Sequence, residues 1–69
     1  MQDRLTVARE ALRKAGEQFR ADEKSLRSAV EFADRHRLQS HVTDYKARAE
    51  TKAALAYQCE CALTLLEAE

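Results

Sequence analysis

Proline and tryptophan are absent from the 69 residues and glycine occurs once, at Gly16. Without proline, nothing in the chain forces a helix to stop, and the one glycine follows a run of good helix formers, Ala11 to Ala15, so helix is the class expected. No stretch approaches the roughly 20 consecutive apolar residues of a membrane-spanning helix. The opening Met1-Gln2-Asp3-Arg4 also lacks the apolar run of a secretory signal, so a cytoplasmic protein is the expectation. Charge of one sign is missing too. Twelve Lys and Arg balance twelve Asp and Glu, which leaves no whole-chain field to draw in nucleic acid. Aromatic residues are scarce, two Phe and two Tyr, so any core is thin and alanine-rich. The two cysteines, Cys59 and Cys61, sit two residues apart, about 200° of rotation on a helix, which disulfide geometry does not accept. They read as reduced thiols.

What remains is a chain of good helix formers with heptad spacing. Leu5, Leu12, Phe19, Leu26 and Ala33 recur every seven residues, and Ala8, Ala15, Asp22 and Ala29 form a parallel row interrupted by one carboxylate. Continued past residue 33, the two rows meet His36, Ser40, Thr43 and Glu50, so the chain must change direction or phase. The expected connection is 38–43, with Thr43 as N-cap, Asp44 at the positive helix end and Val42 stapled onto Ala47. Ser40 is the alternative cap, and one continuous helix the alternative to a turn. The second helix presents Tyr45, Ala49, Ala56, Cys59, Leu63 and Leu66 along one face. The fold expected is therefore a single all-α domain over 1–69, an antiparallel two-helix hairpin with coiled-coil-like packing. Its helices span about 3–37 and about 44–68, following the heptad pattern.

Lys52 falls on the otherwise apolar face of the second helix, where its stem snorkels to water or its ammonium meets a carboxylate. With a turn near residue 40, Lys52 lies opposite Ala29. Asp22 reaches it only if the turn comes roughly three residues earlier, at the helical rise per residue. Four acid-before-base pairs, Glu10 with Lys14, Glu23 with Arg27, Glu31 with Arg35 and Asp44 with Arg48, mark solvated surfaces.

Candidate chemistry is sparse. His36, His41, Cys59 and Cys61 are zinc-type ligands, but the cysteines diverge on a helix and lie some 25 Å from a turn near residue 40, at about 1.5 Å per residue. Neither a metal nor a cofactor is expected. Catalysis needs a concave, water-poor pocket, for which two helices leave no room. Arg35-His36-Arg37 is the most basic spot, yet it is short, has Glu31 and Asp34 beside it, and suits a helix C-terminus for electrostatic reasons alone.

The apolar residues that one hairpin cannot cover point to a partner. At about 100° per residue, Tyr57 and Leu65 lie well off the packing face of the second helix, with Leu55, Ala62 and Leu66 to one side of it. Val7 and Phe32 point away from the seam of the first. The expected partner-binding set is Leu55, Tyr57, Cys59, Ala62, Leu65 and Leu66 with support from Val7 and Phe32, and the expected occupant is another helical protein. A homodimeric four-helix bundle is the structural alternative, and a dimeric nucleic-acid regulator the third.

This layout, a charged first helix, a short connection, then Tyr45 opening an alanine-rich helix that ends Ala62-Leu63-Thr64-Leu65-Leu66, resembles a known family. It is similar to the small helical-hairpin co-chaperones of bacterial type III secretion needle subunits. The resemblance implies that one helix face packs on a partner chaperone, that the pair keeps the needle subunit soluble and monomeric in the cytosol, and that no residue is catalytic. The stretch Cys59-Glu60-Cys61 and the long charged first helix lie outside the likeness.

Overall fold

The computed structural model describes residues 3–68 as two helices, α1 (Arg4–Arg35) and α2 (Gln39–Glu67), folded against each other as an all-α antiparallel hairpin. Ladder bonds run unbroken through each helix because no proline interrupts them. Three of the four expected helix-surface pairs close as ion pairs, Glu10 with Lys14 at 3.3 Å, Glu23 with Arg27 at 2.8 Å and Asp44 with Arg48 at 3.1 Å.

The connection falls earlier than the 38–43 expected from capping residues. Only His36, Arg37 and Leu38 lie between the helices, and α2 starts five residues before the expected Asp44. Two backbone bonds close the turn, Leu38 N–H to the Ala33 carbonyl at 2.8 Å and Arg37 N–H to the Asp34 carbonyl at 3.1 Å. These are the two bonds of a Schellman motif, which needs its central residue in the left-handed region. Arg37 takes that position at φ 58. Leu38 is the N-cap of α2 and makes no side-chain cap bond, so Thr43 and Asp44 lie inside the helix and neither Thr43 nor Ser40 caps it.

A left-handed L-residue costs roughly 1–2 kcal/mol, which glycine avoids at the expense of some unfolded-chain entropy. Arg37→Gly is therefore expected to stabilise the hairpin by about 0.5–1 kcal/mol in denaturant unfolding. A destabilised Arg37→Gly would mean that the turn is closed some other way.

Between the helices the contact is built from small residues. Ala33, Ala49 and Ala56 are the buried apolar side chains, and among the described residues no large side chain is fully buried. Leu5, Leu12, Phe19 and Leu26 of α1 and Tyr45, Cys59, Leu63 and Leu66 of α2 are half-buried along the same seam. Of the second α1 row, Ala15, Asp22 and Ala29 are half-buried as expected, and only its first member departs. Ala8 is exposed, whereas Gly16 is buried, and a Cβ placed on it would stand 3.5 Å from the Cβ of Cys59. That separation is ordinary van der Waals contact, so Gly16 marks a close passage of the helices without being sterically required there.

Register follows from the early turn. Lys52 Nζ lies 3.4 Å from the Asp22 carboxylate and 5.4 Å from the centroid of the Phe19 ring. The carboxylate that breaks the α1 row and the ammonium that breaks the α2 face thus meet each other, each about one-third exposed. Nearer the open end, Arg20 reaches across to Glu60 at 2.7 and 2.9 Å, and Arg9 Nη2 donates to the Leu66 carbonyl at 2.7 Å. Arg9 Nε is buried and has no hydrogen-bond partner. Its guanidinium still does two things there, bonding an end-of-helix carbonyl and offsetting the negative end of the α2 dipole.

Candidate protein-docking face

The two helices distribute their apolar residues differently, and that difference creates the site. Most apolar residues of α1 gather on the seam, whereas α2 carries large apolar residues off its seam face as well as on it. In this hairpin α1 covers one side of α2 and leaves Tyr57 64% and Leu65 71% exposed.

Tyr57, Glu60, Cys61, Thr64 and Leu65 line an open groove of about 450 Å³ on the uncovered side. Its walls are held from within the hairpin. The Glu60 carboxylate takes both bonds from Arg20, which hold its pKa below the usual carboxylate range and keep it ionised. Glu23, bonded by Arg20 and Arg27, is lowered for the same reason. Thr64 spends its hydroxyl on the Glu60 carbonyl at 2.9 Å, a backbone-directed bond that offers the groove no free donor. Cys61, one turn beyond Tyr57, holds the phenol above its ordinary value, with desolvation adding to the effect. What the groove presents is apolar edge, one phenol and one thiol.

The structure divides the expected partner-binding residues into two groups. Tyr57, Leu65, Val7 and Phe32 are exposed. Leu55 and Ala62 are half-buried beside the hairpin contact, and Leu66 is half-buried along the seam itself. Cys59 does not belong with the exposed group. It lies against Gly16 in the seam, because the α2 face that meets α1 continues through 52, 56, 59 and 63 at heptad spacing. Cys61, two residues on, is exposed on the groove side. Among the described residues no three His, Cys, Asp or Glu side chains gather where they could hold a metal ion.

At the turn end a smaller apolar cluster lies in the open. Phe32 packs its ring on His36 with centroids 4.3 Å apart, and Leu38 is exposed beside the turn. Leu38 is absent from the sequence-derived set because a turn over 38–43 places it in a connection, where angular position on a helix says nothing. His41 stacks on Tyr45 at 5.7 Å, inside the first turns of α2. No described helix is long and apolar enough to cross a membrane. Comparison with protein families, with curated proteins and with solved structures finds no match to this chain.

Proposed function

We propose that the hairpin is a cytoplasmic, non-enzymatic adaptor or co-chaperone that docks a helical protein on the outer face of α2. The observation that carries this reading is the pair of large side chains, Tyr57 and Leu65, standing exposed on either side of a groove in which Glu60 and Thr64 are already bonded within the hairpin. Burial of two such side chains contributes on the order of 1.5–3 kcal/mol each before the costs of association. The chemistry of the site is desolvation, and α1 supports it by fixing Glu60 through Arg20. A place in a type III secretion chaperone complex follows from the resemblance in layout, with α2 packing on the partner chaperone.

The test separates residues that hold the hairpin together from residues that serve a partner. Tyr57→Ser and Leu65→Lys are expected to leave the melting temperature of the free protein almost unchanged, since exposed substitutions usually fall within about 0.5 kcal/mol. Titration with the protein that co-purifies with the chain from its own cell is expected to weaken by about thirty-fold or more for each variant. Early melting with normal binding would place both residues in the hairpin core and remove the docking face.

A further inference from the structure

We infer that the outer face of α2 is also a self-association surface, on which a second copy of this chain lays its own α2 antiparallel with the two-fold axis at Cys61. The inference rests on the docking reading above and names the occupant of that face in the isolated protein.

The hairpin has surface to spare. A compact monomer of 7.9 kDa exposes about 4,400 Å², whereas this hairpin, 53 Å long and 12 Å thick, exposes 5409 Å². The excess of about 1,000 Å² belongs to the rod as a whole, and it is large enough to include the roughly 800 Å² that each partner gives up in a standard stable interface.

The residue order on this face is also symmetric. In an isologous contact the surface must be complementary to itself, so residues equidistant from the axis face one another. Along the outer side of α2 the order Ala54, Tyr57, Cys61, Leu65, Ala68 is symmetric in size about Cys61, with small residues seven away and large residues four away on each side. An antiparallel copy centred there sets Tyr57 of one chain level with Leu65 of the other, and alanine level with alanine. Tyr57, Glu60, Cys61 and Thr64 also stand at i, i+3, i+4 and i+7, the four corners of a hole that receives a side chain from a facing helix.

Charge scarcely opposes the contact. Residues 53–68 carry only Glu60 and Glu67, a charge of −2, while the α1 segment level with them, 7–22, carries four cations against three anions, or +1. That end of the hairpin is within one charge of neutral, so repulsion between two copies there is small.

Sedimentation equilibrium and thiol trapping test the arrangement together. Under reducing conditions the free protein is expected to dimerise reversibly, and Leu65→Lys, folded by circular dichroism, to raise the dissociation constant by about thirty-fold or more. At the axis, helices packed about 8–10 Å apart bring the two Cys61 Cα atoms to within about 4–5 Å, a separation that a disulfide spans. Diamide, which takes up the two protons and two electrons released by a pair of thiols, is therefore expected to link Cys59→Ser into a covalent dimer and to leave Cys61→Ser unlinked. A protein that stays monomeric across the micromolar range, a dimer indifferent to Leu65→Lys, or cross-linking that persists in Cys61→Ser overturns the inference. If the protein is monomeric and Leu65→Lys still loses a heterologous partner, the docking reading survives alone. If that variant changes neither self-association nor partner binding, both fall.

Discussion

Replacing Ala56 with leucine is expected to destabilise the hairpin by about 3 kcal/mol, at the upper end of the usual penalty for overpacking. Ala56 is completely buried on the α1-facing side of α2, and the contacts of Gly16 with Cys59 and of Asp22 with Lys52 set it level with Phe19. Three added carbons have nowhere to go unless the helices separate, and separation weakens the Asp22–Lys52 and Arg20–Glu60 contacts on either side. A core this small rarely supplies more than about 3–5 kcal/mol, so the variant is expected to keep no more than about 2 kcal/mol and to unfold at much lower urea. Leucine at exposed Ala21 is the control, equal in helix propensity and expected to change stability by less than about 0.5 kcal/mol. Urea titrations of both variants at one protein concentration decide the matter. A loss below about 0.5 kcal/mol for Ala56→Leu would show that the helices do not approach closely at this point.

That expectation depends on register, and register is the part of the fold least legible in the residues. Helical class follows from the lack of proline and the heptad rows, and so does the pairing of those rows in a hairpin. The turn does not. A Schellman closure is usually announced by glycine or asparagine, and here the left-handed position is held by Arg37, which by itself reads as a basic residue at a helix end. Thr43 and Asp44 offer a capping signal that the backbone leaves unused, and the signal shifts the expected turn toward the C-terminus. The consequence reaches Lys52. Opposite Ala29 it has no partner, whereas with the earlier turn it meets Asp22 at 3.4 Å. Two polar interruptions in otherwise apolar rows are thus the better guide to register, because each is costly unless it finds the other.

The docking face shows the same division between angle and register. Tyr57, Leu65, Val7 and Phe32 are found from helical angle alone, since residues far from the seam direction stay exposed for any turn position. Cys59 follows from angle as well, as a member of the α2 seam face, but Gly16 does not, because its contact with Cys59 depends on how closely the helices pass and on which residue stands level with which. Leu38 requires knowledge of the turn itself.

Phe19→Ala is expected to cost about 3 kcal/mol, through two losses that can be measured apart. The ring is half-buried in the seam, so truncation removes apolar contact and leaves a cavity between helices that have little else of that size to fill it. It also lies 5.4 Å beneath the Lys52 ammonium, an attraction of about 0.5–1 kcal/mol at a site as exposed as this one. Phe19→Leu keeps most of the volume and abolishes the ring, so it is expected to lose about 1 kcal/mol. The difference between the two variants reports packing, and the leucine value reports the ring–cation term. Combining Phe19→Leu with Lys52→Met should then be less damaging than the sum of the single changes, because the cation has nothing left to meet but Asp22. Strict additivity in that cycle would remove the ring–cation attraction. A loss below about 0.5 kcal/mol for Phe19→Ala would remove Phe19 from the seam altogether, and with it the register in which Lys52 reaches Asp22.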